Sequence, residues 1–183
     1  MLSKIKGEQM QINLSELIQS EGKVISIEAN YEPDWYKTKI GTYKIIEKQP
    51  FQMKFTNLGQ KKILLETKFD FTLQMRCDRC LEPVLQKIAV DVSQKLDMNK
   101  TEQQRIEALD EINFISGNHL DVEHFVYGEV LMNLPMKVLC SEDCKGICNQ
   151  CGINLNHATC ECDKTEYDPR MAKIRDIFQN LQQ

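Results

Sequence analysis

The sequence predicts an α+β fold built on a mainly antiparallel β-sheet that could curl into a barrel. Three observations carry this. Apolar and polar residues alternate with period two through most of residues 23–95, one apolar stripe of helical spacing follows near 122–133, and six of the eight cysteines crowd residues 140–162. At 183 residues the chain can bury a core without disulfides, so the thiols need another explanation.

The alternation begins at VISIEA and continues through TYKII and FQMKF, with turn residues expected at Thr56-Asn57-Leu58-Gly59. Its clearest stretch runs from Ile63 to Met75. There Ile63, Leu65, Thr67, Phe69, Phe71, Leu73 and Met75 share the core face, and Glu66, Lys68, Asp70, Thr72 and Gln74 face water. A further strand follows Pro83, with Val84, Ile88, Val90 and Val92 inward, so Cys77 and Cys80 sit at the turn between two strands. The run MNKTEQQRIEALDE is charged and lacks Gly and Pro, which predicts an exposed linker with local helix. After a short strand, INFIS, Asp121 caps a helix through Asn133 that buries Val122, Phe125, Val126 and Val130, and Pro135 ends it. Asp168-Pro169 opens a closing helix with Met171, Ile174, Phe178 and Leu181 on one stripe. The expected organisation is a β region over 1–100, a linker and short strand over 101–118, and a helix, cysteine-rich segment and final helix over 119–183, packed as one unit.

Charge separates the two halves. The net charge of −4 divides into 16 basic against 13 acidic residues over 1–100, and 7 against 14 over 101–183. Residues 37–68 hold eight lysines and only Glu47 and Glu66 as acids, which makes this the candidate anion-binding surface, with Lys54, Lys61 and Lys62 as candidate RNA contacts. Trp35, Tyr36, Tyr43, Phe51 and Phe55 interleave with these lysines; they are either a stacking platform for single-stranded nucleic acid or core aromatics behind a solvated face. No apolar run approaches the ~18 residues of a membrane span and the first residues lack a signal-peptide core, so a cytoplasmic chain is expected.

In a reducing compartment, paired cysteines more often bind metal or do redox work than form disulfides. Cys148-x2-Cys151 and Cys160-x-Cys162, with Gly152 letting the chain turn back, make a compact local four-thiol site. Cys77, Cys80, Cys140 and Cys144 make a second, bridging 59 intervening residues. Two structural zinc ions are therefore expected, closed to water and so unsuited to catalysis. Four thiolates per dication would take the bound protein from −4 to about −8. His157 competes for a place in the local site; His119 and His124 read as ordinary helix-region residues. The alternatives are a redox-active pair at Cys77 and Cys80, an iron–sulfur cluster, or unrelated buried thiols. Arg79 is placed either to donate hydrogen bonds to a thiolate or to bind a partner; Asp78 and Glu82 read equally as outer-sphere or surface groups and as reactive ones. No phosphate-binding loop, nucleophile elbow or HExxH motif is present, so neither an enzyme nor a small-molecule substrate is indicated.

The segments MRCDRCLEPV (75–84), GEVLMNLPMKVLCSEDCKGICNQCGINLN (128–156) and DPRMAKIRDIF (168–178) resemble, in this order and separation, the YceD family of large ribosomal RNA subunit accumulation proteins. The resemblance spans about residues 20–183. It rests most on Cys77, Arg79, Cys80, Leu81, Glu82 and Pro83, and on Leu134, Pro135, Cys140, Cys144, Lys145, Gly146, Cys148, Cys151, Gly152, Asn154, Leu155 and Asn156. It implies a non-enzymatic role in accumulation of large-subunit (23S) ribosomal RNA, with precursor ribosomal RNA, a large-subunit ribosomal protein, or both as partners.

Overall fold

Where the sequence alternates longest, the chain extends longest. A computed structural model describes residues 10–100, 102–107 and 112–162. Its elements are β1 (Gln11–Asn13), α1 (Ser15–Ile18), β2 (Val24–Ala29), β3 (Trp35–Lys37), β4 (Thr42–Lys48), β5 (Phe51–Asn57), β6 (Lys62–Arg76), β7 (Pro83–Asp97), α2 (Glu102–Glu107), β8 (Ile115–Ser116), β9 (His119–Asp121) and α3 (Val122–Met132). The expected closing helix, with Met171, Ile174, Phe178 and Leu181, lies outside the described residues.

β6 and β7 form a long antiparallel hairpin, paired from Lys62↔Asp97 to Arg76↔Pro83. The other edge of β6 is shared end to end. β5 pairs its first half (Asn57↔Ile63 to Met53↔Thr67), and β4 its second (Lys48↔Phe71 to Lys44↔Gln74), with a bulge between Ile45 and Glu47. β2 flanks β5, and β3 flanks β4. The sheet is antiparallel but open: no pairing among the described residues joins β7 to β2 or β3, so the barrel closure envisaged from sequence is not formed. β1, β9 and β8 make a second, three-stranded sheet that the short INFIS run did not foretell.

The predicted core face of β6 is buried at every position from Ile63 to Met75. Across the hairpin, Ile88 and Val90 are buried, and Val84 and Val92 are partly buried. Thr72, expected in water, is buried and donates at 2.9 Å to Oε2 of Glu47, its cross-strand partner next to the β4 bulge. α3 begins at Asp121, whose carboxylate accepts from the His124 amide at 3.0 Å and satisfies one of the first-turn donors. Val122, Phe125, Val126 and Val130 are buried as predicted, and Phe125 sets its ring edge-on to Phe114 (5.0 Å) and Phe69 (6.5 Å).

The turn expected at residues 56–59 falls later. Asn57 still belongs to β5, and the chain reverses at Gly59–Lys62, with Gly59, Gln60 and Lys61 at positive φ. Asn57 is instead a buried hub: its Nδ2 donates to the carbonyls of Leu17 (2.7 Å) and Ser20 (2.8 Å), and its Oδ1 accepts from the Gly59 amide (2.8 Å). This anchors α1, which the sequence reading left unassigned. No described helix is long and apolar enough to cross a membrane.

Candidate metal centres

The end of β6 and the start of β7 present Cys77 and Cys80 at the tip of the hairpin, where the Leu81 amide donates to the Cys77 carbonyl (2.9 Å) and the Cys77 amide to the Glu82 carbonyl (2.8 Å). The segment after α3 is stitched to this turn. Asp78 N donates to Val138 O (2.8 Å), and Val138 N donates to Asp78 Oδ2 (2.7 Å). Arg79 Nη1 donates to the Cys144 carbonyl (2.8 Å), and the Ile147 amide donates to Arg79 O (3.1 Å). Gly146 passes so close that a Cβ there would meet Arg79 O at 3.1 Å. Between them these contacts span the 59-residue gap.

The result is a group of four sulfurs, Cys77, Cys80, Cys140 and Cys144, all within 4.8 Å of one another. Cys77 lies 3.8 Å from Cys144, and Cys80 3.5 Å from Cys140. Four thiolates at ~2.3 Å from one tetrahedral ion stand about 3.8 Å apart, so this spacing fits zinc. Cys77, Cys80 and Cys144 are buried, with Val84 and Leu139 packed against them, while Cys140 is exposed.

Cys148, Cys151, Cys160 and Cys162 form the second group under the same 4.8 Å limit. Its first turn repeats the hairpin turn: the Gly152 amide donates to the Cys148 carbonyl at 2.9 Å with φ 73, as the Leu81 amide does to Cys77 with φ 63. Glycine adopts that backbone freely; leucine does so at a cost.

Crowded thiols cannot all ionise without a cation. Burial works to raise the Cys77 thiol, but backbone amides of Cys80, Arg79 and Cys140 outweigh it and bring Cys77 down to about 6. Amides of Cys151 and Gln150 bring Cys148 down to about 6 as well. An amide from Glu82 lowers Cys80, yet burial and the three neighbouring sulfurs push it up to about 12. The neighbouring Cys151 sulfur and burial do the same to Cys162. Each group thus combines a lowered thiol with thiols raised by burial and by their neighbours.

The loop between Cys151 and Cys160 reaches back to the first group. Asn156 Nδ2 donates to Cys144 Sγ at 3.3 Å, while its Oδ1 accepts from the Lys145 amide at 2.7 Å. His157, a candidate ligand by sequence, turns its Nε2 to Glu82 Oε1 at 2.8 Å, and Glu82 Oε2 lies 3.8 Å from Cys80 Sγ. Sequence analysis placed Asn156 in the family-like motif without a role for it, and did not find the mutual Asp78–Val138 bonds. The repeated C-x-x-C-L and C-x-x-C-G turns, read side by side, carried the signal for Leu81.

The lysine segment is less free than its composition suggests. Lys54 pairs with Glu66 (2.9 Å), Lys68 with Asp91 (2.6 Å) and Lys48 with Asp34 (3.0 Å). Lys61 and Lys62 are exposed at the β5–β6 turn. Tyr36, Phe51 and Phe55 are buried in the core, so of the aromatics proposed as a stacking platform only Trp35 is substantially exposed.

Comparison with known proteins adds an independent finding. The profile of the family described as "Large ribosomal RNA subunit accumulation protein YceD" matches residues 65–178, a span that contains both sulfur groups. Uncharacterized proteins of Mycobacterium tuberculosis (strain ATCC 25618 / H37Rv) and Mycobacterium bovis are each 29% identical over 102 residues, covering 56% of this chain and 49% of theirs. The chain spans about half the length of these relatives. A chloroplastic protein of Arabidopsis thaliana, named large ribosomal RNA subunit accumulation protein YCED homolog 1, is 28% identical over 64 residues, 35% of this chain and 20% of that protein. No solved structure matches.

Proposed function

This chain belongs to the YceD family, and from that premise we propose that it is a non-enzymatic, cytoplasmic ribosome-biogenesis factor that supports accumulation of large-subunit ribosomal RNA. The family match over residues 65–178 carries this reading, since it covers the hairpin, α3 and all eight cysteines. In this reading two zinc ions lock the cysteine-rich segment onto the tip of the β6–β7 hairpin. The assembled surface then engages precursor ribosomal RNA, a large-subunit ribosomal protein, or both. Lys61 and Lys62 are the more available of the candidate RNA contacts, because Lys54 is already held by Glu66. The metal role is structural: four thiolates per ion leave no place for a reacting water. Apparent zinc binding free energies of ~10–16 kcal/mol in zinc-finger peptides are comparable with the stability of a whole domain, so metal binding and folding of this segment are one event.

A thiol-redox role for Cys77 and Cys80 draws support from the lowered Cys77 thiol. It is disfavoured by burial: Cys77 has 0% of its surface exposed, and a redox thiol has to be reached. The test is genetic. Deleting the gene should lower mature 23S relative to 16S ribosomal RNA; the wild-type gene should restore it, and Cys80→Ser or Cys148→Ser should not. An unchanged 23S-to-16S ratio in the deletion strain would remove the reading.

A further inference from the structure

Beside the first sulfur group, where β3, β4, the hairpin tip and the segment after α3 meet, lies a groove of about 970 Å³. Its lining includes several exposed apolar side chains. Ile40 is 83% exposed, Leu81 55% and Trp35 50%, and Leu131 and Met136 also face solvent. Such a contiguous apolar surface marks an interaction site more often than scattered exposed residues do.

Two features give the groove a sign and an anchor. Lys44 and Arg76 line it, and among the described residues neither side chain has a hydrogen-bond or ion-pair partner, whereas Lys48, Lys54, Lys68 and Lys87 are each paired with a carboxylate. The one acid among its described lining residues, Asp78, has its Oδ2 committed to the Val138 amide at 2.7 Å. The anchor is Leu81. It holds φ 63 in a turn whose duplicate in the second sulfur group uses Gly152 at φ 73, so the fold needs glycine's conformation there and has leucine. A strained backbone that presents an apolar side chain to water is the pattern of a contact residue rather than of a stabilising one.

We propose that this groove is the docking site of a protein partner's acidic amphipathic segment, with its apolar face laid across Leu81, Trp35 and Met136 and its carboxylates meeting Lys44 and Arg76. Single-stranded RNA fits less well. Ile40, Leu81, Leu131 and Met136 are aliphatic, and among the described lining residues Trp35 is the one well-exposed ring, with Tyr43 half-buried, whereas RNA grooves offer successive aromatic platforms. The inference leans on the ribosomal reading only for where the partner is sought.

The test uses the full chain. p-Benzoylphenylalanine is placed at position 40 or, separately, at position 136, the cells are irradiated, and the adducts are sequenced. The crosslinked segment is synthesised and titrated against purified protein while the emission of Trp35, the one tryptophan in the chain, is followed. Both positions should yield the same acidic segment with apolar residues at helical spacing, and its binding should shift Trp35 emission to the blue and saturate. Leu81→Gly should weaken binding at least ~10-fold, the scale of an anchor residue, without loss of bound metal, since glycine suits the turn. Lys44→Glu combined with Arg76→Glu should weaken it by a similar factor. Adducts on RNA alone, no polypeptide adduct, a basic segment, or affinity indifferent to these substitutions would overturn the proposal. An acidic segment from a protein outside large-subunit assembly, with the Leu81 and charge effects intact, would support the groove and overturn the ribosomal reading instead.

Discussion

Asn156→Ala isolates the link between the two sulfur groups. Asn156 lies in sequence between ligands of the second group, yet its Nδ2 donates to Cys144 Sγ of the first at 3.3 Å and its Oδ1 holds the Lys145 amide at 2.7 Å. Removing the carboxamide takes a donor from a thiolate that would carry part of the site's net negative charge. A hydrogen bond to a charged group contributes about 1.5–3 kcal/mol. Asn156 is itself exposed, so the lower end applies, which corresponds to roughly a tenfold loss of metal affinity, within the 10–100-fold range for groups that orient metal ligands. Cobalt substituted for zinc gives a thiolate charge-transfer absorption whose decay under a chelator reports release. Two phases are expected in the wild-type protein. Asn156→Ala should speed or deepen only the phase that Cys80→Ser abolishes. If the substitution weakens the phase that depends on Cys148, or neither phase, the coupling read from the hydrogen bonds is wrong.

Other outcomes follow from the same geometry. Cys80 and Cys162 are raised to about 12, and Cys140 and Cys160 are raised as well, so each ion displaces at least two thiol protons near pH 7. Affinity should therefore rise with pH by at least about 100-fold per unit and fall by the same factor toward acid, measured by competition titration at pH 6, 7 and 8; a slope clearly below two protons per ion would contradict the assignment. Leu81→Gly should raise unfolding free energy by about 1 kcal/mol, because an exposed leucine leaves the left-handed region, and urea titration of the metal-loaded protein would show it. Phe125→Ala removes a fully buried ring from between Phe69 and Phe114 and should cost about 3–5 kcal/mol in the same assay. A cost below ~1 kcal/mol would mean that α3 does not pack on the sheet as described.

What could be read from sequence was what repeats locally. The β6 face and the α3 stripe follow from periods of two and 3.6, and Asp121 caps its helix through a bond that spans three residues. The Cys148–Cys162 group was legible because short spacings force sulfurs together, and the group bridging the 59-residue gap followed only as the four thiols left over. Register and topology were not. Nothing in the alternation of Thr42–Lys48 and Phe51–Asn57 says that both strands share one edge of β6, which is what leaves the sheet open. α1 stayed hidden because it is only four residues long, and its anchor, Asn57, is 37 to 40 residues away. The lysine segment misled for the same reason. Its partners Asp91 and Asp34 lie outside the counted stretch and meet the lysines only once the strands pair, and the aromatics between them point inward. Leu81 reads as an ordinary residue until its φ is compared with that of Gly152.

The central claim is that eight thiols form two metal sites that organise the fold. Native mass spectrometry of the purified full chain, with a free-thiol count on the same sample, tests it most directly. Two zinc ions per chain and no rapidly reacting thiol are expected, with the fold of the cysteine-rich segment lost once both ions are chelated. A metal-free chain whose cysteines are joined as disulfides would contradict it.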